Sequence, residues 1–443
     1  LSSPGVIARW TEGSYALIIT LVSLLSLLWV FTSLTRPQWM GRIHPNMLLI
    51  WNIVFTLSVL CTILAHTISF PLTPDSTPVV VSSPSWYQQV PLVLMLLTFP
   101  VIFLDFGLFS AVIVKDHPAP RKMAPGFLLG SVIMVMLIFM NIFSNVWGYV
   151  EPVSPFFRNK FWLPFLLALS LVSILAYPAS RRINFLGFSR SSGQKGVWPA
   201  VILGSIFLAT FAAAMLTDRA FVEPPGNKSL KVMTYNIQQA NDDAGEKSYL
   251  EQLALIREVD PDIIGFQESD STRISLGNND YIRYYANQLG YRSYFGPTTV
   301  TGTYGTALLS KYPLENPRSV FTYSDQDEIG TAEAEITVGG TQFTIFNVHP
   351  AGSDEAKLVF ASRLVERANQ KENIIALGDY NLRGWEEPYL LIEAGYKNAW
   401  MDAHPGGVDD KGLDMSGEER IEHILVSPHL KILDPVYVLP PES

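Results

Sequence analysis

The pattern of apolar and polar positions divides the chain in two. In the first half, long runs are almost free of charge: approximately Tyr15–Leu34, Met47–Phe70, Val90–Val114, Ala124–Trp147, Phe161–Tyr177 and Val197–Leu216. A bilayer-spanning helix takes roughly 20 predominantly apolar residues. Backbone polar groups cannot stay unpaired in lipid, so each run is predicted to be a helix. Six such runs in succession exceed what a soluble core needs. From Lys231 onward the pattern changes to short runs separated by polar turns. Lys231–Gln238 alternates and predicts a strand ending at Asn236. Asp262–Gln267, Thr306–Ser310, Glu333–Val338, Phe343–Val348, Asn373–Leu377, Ile424–Val426 and Val436–Leu439 read as further strands. Tyr249–Glu258 and Glu355–Gln370 carry helical spacing.

The segments between the runs set an orientation. Arg36 and Arg42, then Lys115, Arg121 and Lys122, then Arg181, Arg182, Arg190 and Lys195 fall on alternate connections. Lys and Arg mark the cytoplasmic side. The connection Pro71–Gln89 has neither residue, as an outer loop should; Arg158 and Lys160 weaken the pattern without reversing it. An even number of spans then puts the C-terminal domain on the outer or luminal face. Trp39, Trp86, Trp147, Trp162 and Trp198 stand at run ends, where indole favours the interface. Within the runs, Asp105 and His66 are ionisable. Each is either functional or tied to an amide of a neighbouring helix, with Asn52, Asn141 and Asn145 as the candidates.

The partition predicted is a transmembrane region over 1–217, a linker over 218–230 and a catalytic-type domain over 231–443. The linker carries the breaker Pro224-Pro225-Gly226 and the glycosylation-type tripeptide Asn227-Lys228-Ser229. The chain opens at Leu1 rather than Met and is read as part of a longer protein.

Composition narrows the function. The 443 residues include 16% charged side chains and a net charge of −9. That sign disfavours a nucleic-acid partner, whose backbone is gripped by Lys and Arg. One cysteine, Cys61, excludes an intramolecular disulfide framework.

Four polar signatures end predicted strands: Thr234-Tyr235-Asn236-Ile237, Gln267-Glu268-Ser269, Asn347-Val348-His349-Pro350 and Gly378-Asp379-Tyr380-Asn381. Loops at strand ends can converge on one site. The residue types suit a phosphodiester, an anion that resists anionic nucleophiles. A divalent cation neutralises its oxygens, and Glu268 is the best ligand, since hard oxygen donors suit Mg²⁺. Asn236 is placed to orient that carboxylate or a water on the metal. Asp379 is the best base for an attacking water, with Asn381 to hold it or a phosphoryl oxygen. His349 is placed to donate to a phosphoryl oxygen and stabilise its added charge. Taken singly, each has a plainer role: a turn cap for Asn236 and Asn381, a solvated strand-end charge for Glu268, a turn for Asp379, a structural histidine for His349.

As an ordered set these motifs resemble the endonuclease/exonuclease/phosphatase superfamily. The matching pieces are Met233–Ile237, Gln267-Glu268, Gly305–Pro313, Asn347–His349, Gly378–Leu382 and Arg420–Val426. The resemblance implies an α/β four-layer sandwich, two β-sheets flanked by helices, behind an N-terminal α-helical transmembrane bundle. It implies Mg²⁺ (or Mn²⁺) as cofactor, with Glu268 and Asn236 at the metal, Asp379 and Asn381 at the nucleophile, and His349 at the phosphate. Glu422 stands where members usually have Asp. The family's Ser-Asp-His ending would begin at Ser443, so truncation and impaired turnover are expected; His404, His423 and His429 are poor substitutes by position. Many helices before an outer-facing domain resemble the GPI-anchor lipid-remodelling (PGAP2-interacting / cell-wall biogenesis) family, whose members work with other GPI-processing membrane proteins.

The reading is therefore a membrane-anchored, Mg-dependent phosphodiesterase-type hydrolase acting on a phospholipid or GPI-type headgroup. It would face the ER or Golgi lumen, the cell exterior or, in a bacterium, the periplasm. Tyr304, Trp385 and Trp400 are candidates for contact with the headgroup or interface. An outer-face nuclease and a non-catalytic adaptor of a lipid-remodelling complex are the alternatives.

Overall fold

A computed structural model describes residues 3–36, 39, 43–144, 146–183, 197–216, 220–226, 229–269, 279–295, 305–416 and 420–438. They form two compact units. One comprises Leu1–Thr67, Pro84–Ser144 and Pro152–Asp218; the other comprises Ile68–Ser83, Asn145–Glu151 and Arg219–Ser443. The C-terminal unit thus includes two segments drawn from within the apolar half, which the linear partition at 217 does not anticipate.

The N-terminal unit is helical. Among the described residues, six spans are long and apolar enough to cross a membrane: Tyr15–Thr35, Pro45–His66, Trp86–Asp116, Pro120–Phe143, Trp162–Arg182 and Trp198–Leu216. The third is broken into Gln89–Thr98 and Val101–Asp116, with Pro100 at the break. A short helix absent from the sequence reading, Pro4–Thr11, precedes them and is capped by Ser3. Asp105 is buried, and Asn52 donates to its Oδ1 at 3.1 Å, so one of the three candidate amides meets it. His66 bonds the Thr62 carbonyl of its own helix at 2.8 Å.

The C-terminal unit is a four-layer α/β sandwich. Its strands are β1 (Val79–Ser82), β2 (Val232–Asn236), β3 (Ile263–Gln267), β4 (Arg292–Tyr294), β5 (Ala307–Ser310), β6 (Glu315–Thr322), β7 (Ile329–Val338), β8 (Thr341–Val348), β9 (Ile374–Asp379), β10 (Lys397–Asn398) and β11 (Glu422–Val426). A seven-stranded sheet runs β1-β6-β7-β8-β9-β11-β10, and a four-stranded sheet runs β2-β3-β5-β4. The sheets pack face to face through Ile263 and Leu308 of one and Ala332, Ala334, Ile336, Ile345, Ile375 and Leu377 of the other. Helix Asp354–Ala368 covers the outer face of the large sheet through Phe360 and Leu364. Helices Tyr249–Val259 and Tyr281–Leu289 cover the small one through Leu253, Ile256, Ile282 and Tyr285.

Two parallel pairs, β2 with β3 and β8 with β9, point the same way within each sheet. Their C-terminal ends carry Asn236, Glu268, His349 and Asp379. The large sheet gains its edge strand from the apolar half, where β1 pairs antiparallel with β6, Val79 opposite Phe321. Phe70 packs against Trp147 in a tilted pair and edge-on to Phe321, with centroids 5.1 and 5.6 Å away. The backbone amides of Trp147 and Gly148 both donate to the Gln326 carbonyl at 2.8 Å. A Cβ on Gly148 would lie 2.5 Å from Gln326 Cα, so only glycine fits there. Trp147, expected at the membrane interface, is 2% exposed inside this unit.

The expected strand Val436–Leu439 is not a strand over its described residues 436–438. Both edges of β11 are already occupied, by β9 and β10.

Candidate active site

β2 and β9 belong to different sheets, and their ends meet through Asn236. Its Nδ2 donates to Glu268 Oε1 at 3.2 Å and to Asp379 Oδ2 at 3.1 Å. One amide therefore bridges the expected metal ligand and the expected base. Its Oδ1 accepts from the Gln238 backbone amide at 3.1 Å. His349, 1% exposed at the end of β8, holds Nε2 3.8 Å from Asp379 Oδ2. Asn381 sits two residues beyond Asp379 in the left-handed region, φ 46°. Its backbone amide donates to Asp379 Oδ1 at 2.8 Å and its Nδ2 to the Pro350 carbonyl at 3.0 Å. Asp379 is thus held on both oxygens. Glu422 lies opposite Asp379 in the β9–β11 register. Burial, and then the Asp379 carboxylate, push the Glu422 carboxyl above its ordinary value.

The structure brings Asn236, Glu268, His349, Asp379, Asn381 and Glu422 together. Tyr304, Asn227, Lys228 and Ser443 lie outside the described residues. Trp385 is 53% exposed. Trp400 is buried instead, with its indole donating to the Gly407 carbonyl at 2.9 Å, so it is a packing residue and not a headgroup contact. His423 faces away from Glu422, as successive strand residues do. Asn398 and the Leu382 carbonyl bond its ring. Burial first among the causes holds its pKa down to about 4.

Close approach of the sheets builds the seam. Gln267 and Asn347, both fully buried, are joined by a 2.5 Å hydrogen bond from Gln267 Nε2 to Asn347 Oδ1. Asn347 Nδ2 also donates to the Phe266 and Ala307 carbonyls at 2.8 Å. These motif amides lock sheet to sheet rather than face a substrate. Gly378 stays within β9, paired with Val348 and His423, so Asp379 is the last residue of the strand; a Cβ on Gly378 would lie 2.1 Å from the Val348 carbonyl oxygen, which keeps β8 and β9 close beside the site.

Two residues of the site escaped the sequence reading. Gln239 Nε2 donates to Glu268 Oε2 at 2.5 Å. Lys357 Nζ, from helix Asp354–Ala368, donates to the Asn381 carbonyl at 2.8 Å. No spacing signal marks the first. The second lies three residues after the helix start, on the turn that faces the strand ends.

The donors fit a hard divalent cation. Mg²⁺ binds oxygen, keeps several waters and needs only one or two protein carboxylates. Glu268 supplies one, with the Asn236 amide beside it. Among the described residues no group of three or more His, Cys, Asp or Glu side chains gathers as a metal cage.

The sequence from 233 to 443 matches one family, described as Endonuclease/Exonuclease/phosphatase. These residues are a domain of that family. Protein cwh43 of Schizosaccharomyces pombe is 35% identical over 77 residues, covering 17% of this chain and 8% of that protein. The chain thus matches under a tenth of that relative's length. Among solved structures, a mannosyl-6-phosphatase of Bacteroides thetaiotaomicron is 18% identical with TM-score 0.37, covering 45% of this chain and 86% of its own. A truncated TDP2 of Caenorhabditis elegans is 18% identical with TM-score 0.34, covering 45% and 83%. An AP endonuclease of Archaeoglobus fulgidus is 17% identical with TM-score 0.32, covering 45% and 87%.

Proposed function

We propose that this endonuclease/exonuclease/phosphatase domain hydrolyses a phosphodiester in a lipid headgroup, of GPI or related type, on the outer or luminal face of a membrane. The observation that carries the reading is the convergence of Asn236, Glu268, His349, Asp379 and Asn381 at one end of the sandwich, in a chain whose described residues include six apolar spans. The partial identity with cwh43 fits the resemblance to the cell-wall and GPI-remodelling family from which the lipid reading comes, and the chain's acidic balance disfavours a nucleic acid.

In this reading Glu268 and Asn236 hold Mg²⁺ or Mn²⁺. The cation supplies neutralisation of phosphoryl oxygens and stabilisation of the leaving alkoxide. The protein does the rest. Asp379 accepts the proton of the attacking water, its two oxygens aimed by Asn236 and by the Asn381 amide. His349 donates toward the phosphoryl oxygen that gains charge in the transition state. Glu422 lies across the β9–β11 register from Asp379, with its carboxyl pushed above its ordinary value by burial and then by the Asp379 charge.

The test uses the full-length natural protein in vesicles containing inositol- or choline-type phosphodiester lipids, with Mg²⁺ or EDTA, and DNA and RNA in parallel. Mg²⁺-dependent release of headgroup supports the reading. Cleavage of nucleic acid without lipid turnover moves the assignment to a nuclease. Turnover of neither, with partner proteins retained, moves it to an adaptor.

A further inference from the structure

Two left-handed turns face each other across the site. Gln238, Gln239 and Ala240 adopt φ of 46°, 54° and 62° in succession, and Glu268 adopts 46°. None is glycine. L-residues avoid this region, and backbone held there persists only where its surroundings over-determine it.

The surroundings do so. The Ile237 amide donates to the Gln267 carbonyl at 3.1 Å, and the Ala240 amide to the Ile237 carbonyl at 2.7 Å. The Ser248 amide donates to the Ala240 carbonyl at 3.0 Å. Gln252 Nε2 reaches the Ile237 carbonyl at 3.2 Å, and Lys247 Nζ the Gln239 carbonyl at 2.9 Å. Ala240 is fully buried. The result of this fixing is specific. Gln239 meets Glu268 twice, backbone amide to carbonyl at 2.9 Å and side-chain Nε2 to Oε2 at 2.5 Å. With Asn236 on Oε1, each oxygen of the Glu268 carboxylate has one amide donor.

We propose that Gln239 is a positioning residue for the divalent-cation site. It holds the Glu268 carboxylate in one rotamer, with one lone pair of each oxygen bonded and the others directed outward for the cation. This inference rests on the proposed metal at Glu268. A carboxylate fixed in this way loses no rotamer freedom when the cation binds, and hydrogen-bonded partners of metal ligands tune affinity by about 10- to 100-fold.

The experiment is Mn²⁺ titration of the full-length protein by electron paramagnetic resonance, which needs no turnover. Gln239→Met keeps the length of the side chain and removes its donor; Gln239→Ala removes both. The expected result is Mn²⁺ affinity weaker by about tenfold or more in both variants, with kcat reduced and KM for the phosphoester unchanged. Unchanged Mn²⁺ affinity in Gln239→Met, with its thermal melt intact, overturns the inference while leaving the phosphodiesterase reading standing. Absence of any Mn²⁺ bound by the parent protein overturns both.

Discussion

Asn236 and Asp379 lie on strands of different sheets, yet the Asn236 amide reaches the Asp379 carboxylate at 3.1 Å. The same nitrogen reaches Glu268. The site is therefore a product of how the sheets pack, and it should fail when the seam fails. Asn236→Ala removes a donor shared by two carboxylates that then repel each other. Hydrogen bonds to charged groups contribute about 1.5–3 kcal/mol, so turnover should fall by about 100-fold, and a kinetic assay on the vesicle substrate would show it. An unchanged rate would mean that the bridge has no part in the chemistry.

Glu268→Gln and Asp379→Asn keep shape and remove charge. The first should weaken cation binding, and the second should abolish proton acceptance while leaving the cation in place. Both should lower kcat by about 100-fold or more, with circular dichroism unchanged. The two separate in Mn²⁺ titration: only Glu268→Gln should lose affinity. Loss in both, or in neither, would reassign the ligand.

The seam depends on one small residue. A Cβ on Gly265 would stand 1.9 Å from Leu377 Cδ1 and 2.7 Å from Asn347 Oδ1. Gly265→Ala should therefore push the sheets apart, at a cost of about 1–3 kcal/mol, and reduce activity along with stability. Gly395→Ala is the control, because nothing lies within 4 Å of its Cβ position. A thermal melt comparing the two should show a drop only for Gly265→Ala.

The local signals explain what could be read and what could not. β3 and β9 are dense apolar runs ending in polar tips, β2 lies in an alternating stretch that ends at Asn236, and helix Asp354–Ala368 has a Ser353 cap and a clear apolar stripe. β6, sequence ENPRSVFT, has no alternation and was not read as a strand; its partners β1 and β7 make it one. β1 pairs with a strand more than two hundred residues away, a relationship that no window of sequence contains. Val436 and Val438 alternate like a strand but are 62% and 49% exposed, because the sheet has no edge left for them beside β11. At the site, the motif residues came from type and strand-end position. Gln239 could not, since its role comes from three left-handed residues that nothing in their composition demands.

The borrowed segments carry stability. Phe70 is 3% exposed between Trp147 and Phe321. Phe70→Ala should cost about 3–5 kcal/mol and lower the unfolding midpoint of the C-terminal unit in the full-length protein. Hydrogen exchange should locate the loss in β1 and β6. Protection unchanged there would show that the sheet edge stands without its aromatic support.

Asp327 adds a pH dependence. It is fully buried, Tyr149 donates to its Oδ2 at 3.0 Å, and its Oδ1 has no hydrogen-bond partner. Burial above all raises its pKa from 3.8 to about 7. The folded state therefore holds this proton more tightly than the unfolded chain does. Its contribution is fully present below pH 4 and is lost as pH rises toward 7, with a ceiling near 4 kcal/mol for a shift of about three units. Other carboxylates that gain partners, Asp260 and Glu335 among them, have lowered pKa values and act in the opposite sense. The informative quantity is thus the difference between variants. Asp327→Asn cannot ionise and can still accept from Tyr149. Relative to the parent it should gain stability above pH 7, and that advantage should shrink as pH falls and vanish below pH 4, measured as paired melting midpoints across the range. A constant offset between the two curves would mean that Asp327 is ionised throughout.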